Sequence, residues 1–94
     1  MVVLRIQHSV SSFEAWKRAF DSDPVDRRAS GVRSYRVYRA IVDPNLVMID
    51  LDLDSTADAE KLLEKLRRLW TGLGAAVMRN PAAWIVETVE SVTV

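Results

Sequence analysis

The residues with the clearest chemical potential are the single histidine, His8, and several large aromatic side chains. An unperturbed imidazole titrates close to neutral pH, so His8 is our candidate catalytic residue, as a general acid or base. The alternative is a strand-end histidine that hydrogen-bonds to backbone. The residues themselves leave both interpretations open.

Trp16, Tyr35 and Trp70 are candidate substrate-binding residues, as walls of a site for a flat hydrophobic ligand. Trp16 and Trp70 fall on the apolar stripes of predicted helices, where packing in the core is the usual role of an indole. A cavity for an aromatic ligand is lined by the same residue types, with few polar groups. Met78 and Arg79 could close such a cavity or lie in a plain surface loop.

Other kinds of site lack the residues that they need. The chain has no Cys, which excludes disulfides, thiolate zinc sites and a Cys nucleophile. Asp50, Asp52 and Asp54 alternate on a strand without the turn glycine and downstream glutamate of a calcium loop. No Ser-His-Asp set, glycine-rich phosphate loop or metal-binding His pair is present. We expect neither a metal nor a cofactor.

The charge balance argues against two classes of partner. Thirteen cationic and thirteen anionic side chains give zero net charge, so we expect no nucleic acid and no membrane as partner. An alternation of cations and aromatics looks like an RNA-binding surface, but a strand divides these residues between its two faces. The N-terminal segment does not resemble a signal peptide, and no apolar run approaches the roughly 20 residues of a membrane span. The sequence thus predicts one soluble, cytoplasmic domain over residues 1–94.

The elements that position these residues can be read from the periodicity. Alternation predicts a first strand over Val2–His8, with His8 on the same side as the apolar residues. Ser11 and Glu14 have capping-box spacing at the start of a helix whose stripe includes Trp16. Asp23-Pro24 predicts a second, short helix start, which Gly31 ends.

The second half of the chain predicts a hairpin, a long helix and a last strand. The hairpin joins strands over Val32–Val42 and Val47–Asp54 through Asp43-Pro44-Asn45, which is turn chemistry. Ser55 caps a helix that runs through Trp70 and ends at Gly72 and Gly74, with Leu73 on its apolar face. Ala75–Pro81 is an irregular link or a short helical turn, and Trp84–Val92 is the last strand. The order βαββαβ predicts an α+β, ferredoxin-like fold, a four-stranded antiparallel sheet with both helices on one face.

The sheet face away from the helices, which we call the open face, mixes opposite charges with Met48 and Tyr38. Cross-strand pairs of Arg5 and Arg36 with Asp50 and Asp52 are expected there. Strand two offers two alternating sets, and the more apolar one, Tyr35, Val37 and Ile41, is expected toward the helices. The open face is either solvated or the interface of a homodimer. The long β-prone edge up to Val94 favours the homodimer, through the sheet face and the C-terminal strand.

The chain resembles the dimeric α/β barrel superfamily, in particular the small antibiotic-biosynthesis-monooxygenase-like domains. The similarity rests on the strand that ends in Gln7-His8, the helix from Phe13 to Lys17, and Val37-Tyr38-Arg39 before the turn. It also includes the long second helix and Asn80-Pro81 after the glycine-rich link. The resemblance implies a homodimer with one ligand cavity per protomer, between sheet and helices. The haem-degrading relatives use a His on the second helix, and this chain has none there.

Two functions from different classes follow. The first is a small dimeric barrel that binds a hydrophobic, aromatic metabolite and carries out cofactor-independent monooxygenase-like chemistry. The second is a non-catalytic module of the same fold for ligand sensing, stress response or assembly. Whether the protein is an enzyme stays open at this point.

Overall fold

The computed structural model describes residues 1–72 and 78–94. Its elements follow the order βαββαβ: β1 Val2–Ser9, α1 Phe13–Asp21, β2 Ser34–Arg39, β3 Leu46–Leu53, α2 Thr56–Thr71 and β4 Arg79–Glu87. No helix in the described ranges has the length and apolarity required to cross a membrane.

The four strands form one antiparallel sheet in the order β2-β3-β1-β4. The two central strands, β1 and β3, pair from Val2 opposite Leu53 to Ser9 opposite Leu46. Both helices pack on the same sheet face, where they contribute to one core and one cavity. The expected ferredoxin-like α+β fold is confirmed.

The core lies between this sheet face and α2. The inward residues of β1 and β3 alternate as expected, and Leu4, Val47 and Leu53 have no solvent exposure. α2 adds its own apolar stripe of buried residues, Ala59, Leu62, Leu63 and Leu66. A strand period of two and a helix period of 3.6 therefore bring two apolar surfaces together.

The two helices begin at serine caps, but the first cap is one residue later than expected. Ser12, not Ser11, accepts a hydrogen bond from the Ala15 backbone N–H at 3.2 Å. Glu14 therefore lies in the first turn and does not complete a capping box, although its charge favours the helix start. Ser55 caps α2 as expected and accepts from the Asp58 N–H at 3.1 Å.

The segment after α1 consists of turns, and the short helix expected at Asp23-Pro24 is not formed. Asp23 does receive the Arg27 backbone N–H on its carboxylate, at 2.9 Å. Its own φ of 55°, however, is incompatible with a helix start in regular geometry. Gly31, at φ 95°, ends the turns in the left-handed region that favours glycine.

The outer strands differ from their expected bounds because a strand ends where its partner ends. β2 stops at Arg39, opposite the start of β3, so Ile41 is fully exposed instead of facing the helices. β4 starts at Arg79, within the expected irregular link, and ends at Glu87 opposite Val2. Residues 88–94, expected as a strand edge, have no regular structure.

The expectations for Leu73, Gly74 and the first part of the link, 75–77, lie outside the described residues.

The open face carries the expected arginine–aspartate pairs. Arg5 binds Asp50 through two hydrogen bonds, of 2.9 and 3.0 Å, and Arg36 binds Asp52 in the same way, at 2.8 and 2.9 Å. Both carboxylates are buried beneath the arginine side chains, although they lie on the open face. Arg36 lowers the pKa of Asp52, and a further hydrogen bond from Ser34 acts in the same direction.

Candidate functional site

A cavity of about 290 Å³ lies between the sheet and the two helices. Its volume lies just below the range of small-molecule sites, about 300–1,000 Å³. The walls come from β1, α1, the turns after α1, β3, α2 and the residue before β4. The lining residues are Ile6, His8, Trp16, Ala19, Phe20, Ser22, Pro24, Val25, Arg27, Ile49, Leu51, Leu66, Leu69, Trp70 and Met78.

His8 lies at the point where the pairing of β1 with β4 is interrupted. Gln7 pairs with Ala82 and Ser9 pairs with Arg79, so β4 has one extra residue opposite His8. The extra residue belongs to Asn80-Pro81, where Asn80 has a φ of 51° and Pro81 has no N–H to give to the ladder. Bulges of this kind occur next to binding sites because they redirect the chain.

The imidazole of His8 is buried and has no hydrogen bond of good geometry to residues 1–72 and 78–94, although the nearby Ser9 backbone opposes part of the effect of burial on its pKa. Its exposure is 1%, and neither Nδ1 nor Nε2 has a partner among residues 1–72 and 78–94. An unsatisfied buried polar group costs free energy, and few native side chains are left in this condition. Burial lowers the pKa of His8 from 6.5 to about 4, so the ring is neutral at pH 7.

A row of aromatic rings runs from His8 along α1. The His8 and Trp16 ring centroids lie 5.1 Å apart, and Trp16 stacks on Phe20, also at 5.1 Å. Tyr35 of β2 then meets Phe20 edge to face at 5.2 Å. Because Trp16 and Phe20 lie four residues apart on α1, they share one helix face and together form a continuous aromatic wall.

The structure brings three of the four sequence-predicted site residues to the cavity. His8, Trp16 and Trp70 line it, whereas Tyr35 stands behind Phe20 and does not. Met78 also lines the cavity and is buried, while Arg79 is an exposed residue of β4. The roles proposed for these residues remain predictions, since position alone does not assign them.

Sequence analysis missed Arg27, the one charged side chain among the described lining residues. Its guanidinium carbon lies 4.0 Å from the centroid of the Phe20 ring and 4.9 Å from that of Tyr35. The sequence does place Asp23 and Arg27 four residues apart. That spacing, however, fits a short helix as well as it fits a turn that folds back over α1.

Within the described residues, no group of three or more His, Cys, Asp or Glu side chains is placed to hold a metal ion. Among the described residues the cavity lining is largely apolar, and its polar side chains are His8, Arg27 and Ser22, whose hydroxyl already donates to the Ala19 carbonyl. Such a lining can enclose an apolar ligand, exclude water and offer hydrogen bonds at two positions.

Comparison with solved structures finds this fold in other proteins. SnoaB, a cofactor-independent oxygenase from Streptomyces nogalater whose structure was solved as a point mutant, is 12% identical with a TM-score of 0.74, over 96% of this chain and 94% of that one. A candidate antibiotic biosynthesis monooxygenase from Nitrosomonas europaea is 20% identical with a TM-score of 0.72, over 96% and 100%. Another, from Deinococcus radiodurans, is 16% identical with a TM-score of 0.68, over 100% and 98%.

These similarities extend over whole chains and show a shared fold. They confirm the resemblance to antibiotic-biosynthesis-monooxygenase-like proteins at the level of architecture. No family profile and no curated protein sequence matches the chain. At identities of 12–20%, the activity of the neighbours is not carried over by the likeness itself.

Proposed function

We propose that the cavity binds a small, flat, hydrophobic metabolite with an aromatic ring, and that the protein is a cofactor-independent monooxygenase-like enzyme. The observation that carries the binding proposal is the pair of unpartnered ring nitrogens of His8 beside an apolar cavity in the described part of the chain. A ligand hydroxyl would satisfy one nitrogen and remove the cost of leaving it unpaired. The aromatic row from His8 to Phe20 supplies the surface on which a flat ring packs.

The chemistry that fits is the removal of a proton from a phenolic ligand. Neutral His8 can accept that proton. A carbon of the electron-rich phenolate could then bond to molecular oxygen to form a hydroperoxide, and cleavage of its O–O bond with loss of water would leave a quinone. One oxygen atom then enters the product, the other leaves as water, and the substrate itself supplies the electrons, so no metal or organic cofactor is needed. The lowered pKa makes His8 a weaker base by about 3 kcal/mol than a histidine in water. Proton transfer therefore requires that the apolar cavity hold imidazolium and phenolate as a close pair. The oxygenase named among the structural neighbours supports this reaction class.

Binding is tested by tryptophan fluorescence during a titration with 2-naphthol, a flat phenol of suitable size. We expect a saturable change in emission, because Trp16 and Trp70 line the cavity. Ala19→Phe fills part of the cavity and should abolish the change. Ala29→Phe, at an exposed turn position, is the matched control and should retain it. A change that survives in Ala19→Phe would place the ligand elsewhere.

Catalysis is tested by oxygen uptake with a panel of flat phenols and quinols. For a substrate that is turned over, His8→Phe should reduce the rate by about 100-fold or more, the usual contribution of a general base. Equal rates in wild type and His8→Phe would contradict the catalytic role of His8.

The second candidate is a non-catalytic module that senses or stores the same ligand. The depressed pKa of His8 favours it, because a neutral imidazole is suited to hydrogen bonding and is a poor base. Saturable binding of 2-naphthol without oxygen uptake across the panel would select this function.

We also propose that the open face pairs two copies of the chain. Tyr38, which lies opposite Met48, and Trp84, which lies opposite Arg5, leave 45% and 50% of their surface exposed there. Asp50 and Asp52 are already paired with arginines, so covering the face leaves neither of these two carboxylates unpaired. Residues 88–94 do not form the strand edge expected to contribute, so the proposal rests on the sheet face alone.

A further inference from the structure

Arg27 is a charged side chain in a place where charge is costly. Its side chain is only 13% exposed, and most of the described residues that line the cavity with it are apolar or aromatic. A buried cation is normally neutralised by a close carboxylate or used to bind an anion. The contacts of Arg27 distinguish these two possibilities.

The guanidinium is fixed in position mainly by aromatic rings and a carbonyl. It lies against Phe20 at 4.0 Å and Tyr35 at 4.9 Å, both within cation–π range. Nη1 also donates to the Phe20 backbone carbonyl at 2.7 Å. These contacts orient the planar group without cancelling its charge.

Asp23 neutralises Arg27 only in part. The distance from Arg27 Nε to Asp23 Oδ1 is 3.4 Å, longer than a good charge-assisted hydrogen bond. That same oxygen already accepts the Arg27 backbone N–H at 2.9 Å. In the part of the chain that the structure describes, Nη2 has no hydrogen-bond partner, so the Nη edge can receive an anion.

We propose that the ligand is an aromatic anion whose carboxylate, or an equivalent oxyanion, binds the Nη edge of Arg27 while its ring lies on the Trp16–Phe20 wall. This inference rests on the proposed function, because it assumes that the cavity holds a flat aromatic molecule. It adds the chemical class of the ligand and a second polar contact at Arg27, in addition to His8. Arginine suits this role, since its fork matches the two oxygens of a carboxylate.

The test compares two probes of nearly equal shape, 2-naphthoate and the neutral 2-naphthamide, by isothermal titration calorimetry. Wild type should bind 2-naphthoate at least about tenfold more tightly than 2-naphthamide, as expected for a charge-assisted pair. Arg27→Met should remove this preference, by weakening the binding of 2-naphthoate more than that of 2-naphthamide. Arg27→Lys retains the charge without the fork and should retain part of the preference.

Arg28→Met is the matched control, because Arg28 is the exposed neighbour of Arg27 and does not line the cavity. It should leave the preference for 2-naphthoate unchanged. If Arg27→Met and Arg28→Met reduced the preference for 2-naphthoate equally, the preference would come from the general positive charge of this surface, and the proposal would be overturned.

The remaining outcomes separate this inference from the proposed function. Equal wild-type affinities for the two probes would overturn the anion site and leave the aromatic cavity standing, and this outcome needs no variant to fold. Equal loss of both probes in Arg27→Met would do the same, since Arg27 would then act through packing. If wild type binds 2-naphthol but neither of these probes, the anion site is overturned and the aromatic cavity stands; failure to bind any of the three would overturn both proposals.

Discussion

His8 occupies a buried position at which an apolar side chain would cost less free energy of desolvation. Its neighbours in β1, Leu4 and Ile6, are buried hydrophobic residues on the same face. The ring nitrogens have no hydrogen-bond partner among the described residues, and burial lowers the pKa of the imidazole. Buried titratable groups with shifted pKa values cluster at functional sites, and His8 is a group of this kind.

The burial of His8 predicts a stability change in mild acid. Its pKa is about 4 in the folded protein and about 6.5 in the unfolded chain, so the unfolded chain binds the proton more readily. The free energy of unfolding should therefore decrease as the pH falls from 6.5 to 4, by about 3 kcal/mol in total. Denaturant unfolding at a series of pH values measures this decrease, and His8→Phe should largely remove it.

Asp54→Asn provides the control for that pH series. Arg33 lowers the pKa of Asp54 below its usual 3.8. The stability that this ion pair adds is therefore lost mainly below about pH 4, outside the range in which His8 acts. The variant should keep the full pH dependence between 6.5 and 4. A His8→Phe protein with the same dependence as wild type would show that another group causes it.

For single residues, the sequence predicts which way a side chain points better than it predicts what surrounds that side chain. The phase of His8 with Leu4 and Ile6 predicts that it points inward, and the structure confirms that orientation. The lack of hydrogen-bond partners among the described residues depends on the Asn80-Pro81 bulge and on the cavity, which arise only when β4 pairs with β1. Arg27 likewise becomes distinctive only once the turns place it against Phe20.

Among the elements, the start of α1 offers a direct comparison of two adjacent serines. Ser12 accepts the Ala15 N–H, whereas Ser11 precedes the cap and is exposed. Ser12→Ala should lower the free energy of unfolding by about 1 kcal/mol, because one N–H at the helix start loses its partner. Ser11→Ala should leave stability nearly unchanged, and chemical denaturation measures both. A larger loss from Ser11→Ala would assign the cap to Ser11.

Elements whose sequence signals lie within a few neighbouring residues were predictable. The ends of the outer strands were not, because they depend on where the partner strand ends. The alternation of β3 and the Ser55 cap of α2 lie within a few residues of sequence, and both are confirmed. The turn at Asp43–Asn45 is confirmed too, with the Leu46 N–H bonded to the Asp43 carbonyl. Ile41 and residues 88–94 are β-prone, but no neighbouring strand in the described ranges extends far enough to pair with them.

At the scale of the whole molecule, a chain of 94 residues buries a limited fraction of its surface, and pairing of open faces would increase it. We predict a homodimer in sedimentation velocity at micromolar concentration. Tyr38→Lys places a charge in the proposed interface and should shift the protein to monomer, because burial of that charge without a partner is costly.

Ile41→Lys is the control for the dimer experiment. Ile41 is fully exposed and lies beyond the end of β2, outside the open face. The variant should sediment as wild type does. A monomeric wild type, or equal dissociation by both lysine variants, would contradict the proposed interface.

Ligand binding at His8 can be observed at the ring itself, through the imidazole nitrogen NMR signals of His8 with and without 2-naphthol. The chain has a single His, so its ring nitrogen signals need no further assignment. At pH 7 the free protein should show a neutral ring, as the pKa of about 4 requires. Saturation with 2-naphthol should shift at least one ring nitrogen signal, because the ligand hydroxyl forms a hydrogen bond with the imidazole. Saturable binding that leaves both nitrogen signals unchanged, or no binding at all, would contradict ligand binding at His8.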